Sequence, residues 1–228
     1  MRASVHIADL GGRGALRFLR RKLDRARTPG LRSADVALAT PLAGTLRRVP
    51  KLGRVGLIAF WDDDASIDHF LATNPLAAIL ASGWQVRLEP LRMYGSWPGM
   101  DSDVPAERNV AHDGPVAVLT LARFRWRRAA AFFRTSVKAE AAALESDGMV
   151  WATAMAKPPF VATYSMWEST RALAEYAYGP PSAAHPNAVH VNNGKPFHRM
   201  EAFIRFRPYA AAGELARPNP LSQTSLSV

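Results

Sequence analysis

The sequence predicts an α+β fold in which two tandem β-α-β-β-α-β units close into a single barrel. Three observations carry that prediction. Val55–Ala72 (VGLIAFWDDDASIDHFLA) and Val161–Tyr178 (VATYSMWESTRALAEYAY) each run an apolar strand into a tryptophan, an acidic or hydroxyl cap and an amphipathic helix. One offset relates them, since Trp61 and Trp167, Ile67 and Leu173, Phe70 and Tyr176, and Leu71 and Ala177 all lie 106 apart. Finally, 48% hydrophobic residues against 21% charged in a chain of 228 supply enough apolar side chain for a substantial core.

The elements follow in order. Ser4–Leu10 reads as a strand, and Gly11-Gly12-Arg13-Gly14 breaks it into a helix over Ala15–Arg27 with Leu16, Leu19 and Leu23 on one stripe. Val36–Ala39 is a short strand, and Val55–Trp61 is apolar almost throughout, as a central strand should be. Asp62-Asp63-Asp64 places negative charge at a helix N-terminus, and Asn74-Pro75 restarts the helix as an N-cap followed by proline in the first turn. Ile79 takes a core-type position on that second segment, and Trp84–Tyr94 completes the first unit.

Pro98–Pro115 is rich in Pro, Gly and Asp without periodicity and reads as a linker. The second unit repeats the order: strand Val116–Phe124, helix Ala129–Glu145, strands Met149–Ala156 and Phe160–Trp167 around Lys157-Pro158-Pro159, helix Ser169–Tyr178 and strand Arg199–Tyr209. The expected layout is a first ferredoxin-like repeat over 1–97, a linker over 98–115, a second repeat over 116–210 and a loose tail over 211–228. Aligning RLEPLRMY at Arg87–Tyr94 with RMEAFIRF at Arg199–Phe206 gives an offset of 112, which leaves six extra residues in the second copy. Each unit has one sheet face without helices, and burying those faces against each other makes a barrel with helices outside.

Composition narrows the chemistry. Without cysteine there are no disulfides, thiolate metal sites, iron–sulfur clusters or cysteine nucleophiles. No apolar run reaches the ~18 residues of a membrane span, and the N-terminus lacks a secretory signal, so a cytoplasmic protein is expected. The net charge of +10 is concentrated between Arg13 and Arg54, where twelve basic residues face only Asp24 and Asp35. Such a stretch suits peripheral contact with anionic lipid headgroups; it suits nucleic acid less, and a solvated helix face accounts for it with no partner at all. No dinucleotide-binding glycine loop, P-loop or G-x-S-x-G motif is present.

Carrying the 106 offset past Pro75 and Pro181 sets Ile79 against His185, and His185, His190 and His198 fall within fourteen residues. Histidine suits metal ligation, one ring nitrogen coordinating while the other is steered by an acceptor. Surface-loop histidines are the simpler account, and the spacing of His185 and His190 lacks the geometry of a zinc helix motif. Trp61 and Trp167, being symmetric, read as structural; Arg92 and Trp97 have weaker repeat partners and suit a pocket border. His69 and His112 read as solvent-facing.

The succession FWDDDASIDHF, RMYGSWPG, GPVAVLTLARF, KPPFVATYSMWEST, YAYGPPSAAH and RMEAFIRF resembles the spheroidene monooxygenase family of carotenoid-oxidising proteins, from about Ser4 to Tyr209. The resemblance implies haem b and molecular oxygen with an external electron donor. It also implies likeness to two-repeat haem barrels such as chlorite dismutase, dye-decolourising peroxidase and aldoxime dehydratase, in which a histidine of the second repeat holds the iron. His185 matches that histidine and His190 is the reserve ligand, because Pro186 interrupts the helical run seen in the family. Arg92 and Trp97 would border the cofactor, Arg92 donating to a propionate or an oxygen species. The expected function is a haem-dependent monooxygenase-like oxidoreductase acting on an apolar substrate. Alternatives are a haem carrier or sensor, a dehydratase- or peroxidase-like haem enzyme, and a cofactor-free barrel monooxygenase.

Overall fold

The computed structural model describes residues 1–42, 52–100, 104–107, 111–128, 136–137, 140–178 and 198–215. Eight strands form one closed antiparallel barrel: β1 (Arg2–Asp9), β2 (Leu31–Pro41), β3 (Arg54–Trp61), β4 (Trp84–Gly95), β5 (Val116–Phe124), β6 (Met149–Lys157), β7 (Phe160–Trp167) and β8 (His198–Ala212). Around the barrel they run β1-β3-β2-β6-β7-β5-β8-β4. The first four strands are therefore ordered β4-β1-β3-β2 and the last four β8-β5-β7-β6, the same ferredoxin-like order twice. The two sheets join where β2 pairs with β6 and β4 with β8.

The helices sit outside: α1 (Gly11–Leu19), α2 (Asp64–Thr73), α3 (Pro75–Leu80) and α4 (Thr170–Tyr178), with residues 140–144 also helical. The repeat extends to atoms. Asp63 accepts from the Ser66 amide to cap α2, and Ser169 accepts from the Ala172 amide to cap α4. Trp61 packs on Phe70 and Trp167 on Tyr176, each at 5.0 Å between ring centroids. Both tryptophans are buried and serve packing, as their symmetry predicts.

The barrel interior is filled. Alternate residues of every strand point inward, among them Val5, Ile58, Val86, Leu119, Met155 and Ile204. Trp84, Trp151 and Tyr164 meet there with centroids within 5.9 Å of one another. One end is closed by the YGSWPG turn. Gly95 and Gly99 adopt positive φ, a Cβ on Gly95 would lie 2.3 Å from the Glu201 carbonyl, and Trp97 drops into the core against Phe160.

Four expectations are corrected. α1 ends at Leu19 rather than continuing to Arg27; Lys157 Nζ donates to the Leu19 carbonyl, and after a break Arg25–Arg27 forms a separate 3₁₀ turn capped by Asp24. The inner face of α1 is Ala15 and Phe18 rather than a leucine stripe, Leu16 being 63% exposed, and Gly11 at its start lies against Gly53. Ile79 is only partly buried, the inward positions of α3 being Leu76, Ala77 and Leu80. His112 is partly buried rather than solvent-facing: its ring meets the Pro115 carbonyl and its own carbonyl accepts from Thr170 Oγ1.

The fourth correction is one of register. Val5 lies between Ile58 and Val86, and Leu119 lies between Tyr164 and Ile204. Ile58 and Tyr164 are 106 apart, but Val86 and Ile204 are 118 apart, so the equivalent of Arg87 is Arg205 and not Arg199. Subtracting 106 from 118 puts twelve added residues, not six, before β8 of the second copy. A slide of six residues is even, preserves the inside–outside alternation of a strand, and leaves no trace in the hydrophobic pattern.

Candidate functional site

The corrected register allows the outer faces of the two repeats to be compared residue by residue. In the first, Arg87 of β4 binds Asp68 and Asp64 from the first turns of α2. Asp64 is a hub, also taking Arg2 at 3.1 Å and the Tyr209 hydroxyl. Burial disfavours its charge, yet the hydrogen bonds from Tyr209 and Arg2 outweigh that and hold its carboxyl below the usual range. Beside it, His6 faces Ser4 Oγ at 3.0 Å, and Ser4 Oγ accepts from Trp61 Nε1 at 2.9 Å. Complete burial, reinforced by the Arg87 charge, pushes His6 down to about 4. Ser4 Oγ thus bridges the Trp61 indole and a neutral imidazole. A cleft of about 260 Å³ opens there, lined by His6, Gln85, Leu80 and Gly213 among others.

The second repeat keeps the arginine and loses its partners. Asp64 corresponds to Thr170 and Asp68 to Ala174, while Arg2 and Tyr209 correspond to Val116 and Leu91, which belong to an apolar cluster with Trp167 and Leu173. Arg205 is 6% exposed, its Nε has no hydrogen-bond partner, and no ion pair involves it among the described residues. Burial lowers its pKa; Tyr178 opposes the shift and Arg92 adds to it. Arg92 stands opposite Arg205 on β4, donating from Nη1 to Tyr178 Oη at 2.8 Å and from Nε to the Ala106 carbonyl at 2.9 Å.

Of the residues singled out by sequence, Arg92 therefore lies in this face. Trp97 lies elsewhere: its indole is in the barrel core under Phe160, with the Arg123 guanidinium 5.2 Å from its ring centroid, and it shares no partner with Arg92 among the described residues. His185 and His190 fall outside the described residues. His198, third of the cluster, opens β8 with Nδ1 2.7 Å from Glu201 Oε2. Among the described residues no three His, Asp or Glu side chains gather as a metal site, and no helix is long and apolar enough to cross a membrane. Arg205 and His6 escaped the sequence reading; the register that pairs Arg205 with Arg87 would have flagged the first.

Among the described residues the lumen is packed by Trp84, Trp151 and Tyr164, which leaves a planar cofactor with acid groups a poor fit there. The outer face of the second repeat fits one better, since the buried, unpartnered Arg205 Nε supplies a donor beside partly exposed apolar groups.

These features define a two-repeat α+β barrel with a specialised second repeat, and solved structures share the architecture. An aldoxime dehydratase solved with butyraldoxime superposes with a TM-score of 0.53, covering 91% of this chain and 79% of that one at 8% identity. A second aldoxime dehydratase gives 0.50 over 91% and 80% at 9% identity. At such identities the likeness is one of fold. The sequence itself is similar to the spheroidene monooxygenase of Rubrivivax gelatinosus, 29% identical over 191 residues that cover 81% of this chain and 72% of that protein. The resemblance carried by the motifs thus extends along most of both chains. No protein-family model matches the sequence.

Proposed function

We propose that this chain is a haem-binding, monooxygenase-like oxidoreductase that oxygenates an apolar substrate. The alignment with a spheroidene monooxygenase over 81% of the chain carries the reading; the absence of cysteine excludes a thiolate ligand, and the family resemblance is what points to histidine. His185 would hold the iron, with His190 as the alternative; Arg92 would meet an acid edge of the macrocycle, and Trp97, set in the barrel core apart from Arg92, would act by sealing the barrel end. Haem would supply oxygen activation, tuned by its axial ligand and by the polarity of the opposite face, with electrons from an external donor. The chain's own contribution is to fix the cofactor's edge and to keep water from the apolar side of the second repeat.

Substrate access is part of the same proposal. Arg17 and Arg20 of the basic stretch are exposed, as are the neighbouring Leu16, at 63%, and Leu52 of the same stretch, at 62%, a combination suited to anionic membrane surfaces where apolar substrates collect. Sedimentation with acidic liposomes should be lost on reversing Arg17 and Arg20 to Glu.

Purification with added hemin tests the central claim. A Soret band that shifts or disappears in His185→Ala, or in His190→Ala, is the expected result; no band, or one unchanged in both variants, overturns it. Turnover with oxygen and a reductant then separates an enzyme from a carrier.

A further inference from the structure

The barrel's own pseudo-symmetry isolates one place where the second repeat has been altered beyond the needs of the scaffold. Symmetry maps the facing pair Arg87 and Ala210 onto Arg205 and Arg92. The first copy sets Arg87 against the carboxylates of Asp64 and Asp68. The second sets two guanidiniums against no carboxylate among the described residues, one of them 6% exposed and with Nε unpartnered there. A buried charge of this kind is costly unless an opposite charge reaches it, and a guanidinium offers parallel N–H donors that suit a carboxylate.

The next row of the sheet shows what the rest of the ligand resembles. In the first copy, β1, β4 and β8 place His6, Gln85 and Ala212 side by side; the equivalents in the second are Thr120, Phe203 and Tyr94. A polar and small row has become an aromatic one. Tyr94 is 58% exposed, and its ring lies 6.4 Å from that of the partly buried Phe203. Val118, opposite Arg205 on β5, continues the apolar surface.

We propose that Arg205 and Arg92 form a carboxylate-binding pair on the outer face of the second repeat, taking the acid end of a ligand whose apolar body rests on Phe203, Tyr94 and Val118. Tyr178, bonded to Arg92, positions one guanidinium. The pair serves either a free acid with an apolar chain or the acid edge of a macrocycle such as haem. It goes beyond the haem reading and does not rest on it.

The test compares acids with neutral analogues at fixed ionic strength on the full chain. Decanoate and decanol are titrated by tryptophan fluorescence, and hemin and hemin dimethyl ester by absorbance. The wild type should bind at least one acid about ten-fold more tightly than its neutral counterpart, and Arg205→Gln or the milder Arg92→Gln should bring the two within about two-fold, whereas Arg87→Gln should not. Discrimination with decanoate identifies a free acid; discrimination with hemin alone identifies the macrocycle's own acid groups. Equal affinity for acid and neutral forms in both series overturns the proposal, as does discrimination that survives both variants. If neither series discriminates but hemin binding needs His185, the haem reading stands and this one falls; if decanoate binding needs Arg205 and hemin gives no Soret band, the reverse holds.

Discussion

Arg92 and Arg205 are cross-strand partners on β4 and β8, so two guanidiniums face each other where the barrel's other half sets Arg87 against Ala210. The same residue type in equivalent places thus does opposite things. Arg87 is tied to Asp64 and Asp68; Arg205 is buried with no carboxylate partner among the described residues. One substitution should therefore have opposite signs in the two repeats. Arg205→Met should raise stability by about 1–3 kcal/mol in a buffer free of carboxylates, by removing a buried uncompensated charge. Arg87→Met should lower it by about 1 kcal/mol, the loss being small because Asp68 is largely exposed and its pairing is screened by solvent. Urea denaturation of the ligand-free protein measures both, and a fall in stability for Arg205→Met would show that the guanidinium is compensated within the chain.

His6 makes stability depend on pH. Its imidazole faces Ser4 Oγ, the Phe70 ring in a T-shaped contact at 5.8 Å between centroids and the cation of Arg87, with Gln85 beside it across the strand; none of these favours a positive charge enough to repay burial. The folded value is lowered from 6.5 to about 4. Between those values the unfolded chain binds a proton that the folded chain refuses, so the stabilisation is complete above about 6.5 and is lost as pH falls towards about 4. The full span amounts to about 3 kcal/mol. His6→Thr, which installs the residue the second repeat carries at Thr120, should flatten the urea midpoint between pH 4.5 and 6.5 relative to wild type.

The alternation of the strands and the 106 offset made the barrel legible in advance, because both are consequences of covalent periodicity: one face in, one face out, and a helix laid across. Trp61 and Trp167 could be assigned to packing for the same reason. The second repeat's special face was not legible. Its evidence is the pairing of Arg205 with Arg92, which depends on strand register, and an even slip in register changes no residue's side of the sheet. Trp97 shows the complementary limit. The YGSWPG turn is distinctive in sequence, yet its specificity comes from two positive-φ glycines that seat an indole in the core, and a packing role leaves the same signature as a binding one.

That ambiguity gives Trp97 a clear test. The side chain is 5% exposed and lies against Phe160 and Arg123, so Trp97→Ala should cost about 3–5 kcal/mol by opening the barrel end. Trp97→Phe keeps most of the volume and should cost less than half as much. If Trp97 is purely a plug, hemin titration of the Phe variant will match wild type in affinity and band position; a shifted band would place the indole at the cofactor.

Tyr164 closes the set because its symmetry partner states what the barrel needs. Ile58 occupies the equivalent position and is wholly apolar, whereas Tyr164 is fully buried among Trp84 and Trp151 with a hydroxyl that has no hydrogen-bond partner. Burial pushes its ionisation upward, beyond the ordinary phenol range, so it stays neutral at working pH. An unsatisfied buried hydroxyl costs about 1–3 kcal/mol, and Tyr164→Phe removes it while leaving the ring in place. The variant should be more stable by about 1 kcal/mol, since relaxation around the hydroxyl already recovers part of that penalty. Hemin binding is read alongside stability: a more stable variant with unchanged hemin binding makes the hydroxyl a tolerated burden. A less stable one shows that the hydroxyl finds a hydrogen-bond partner within the packed barrel.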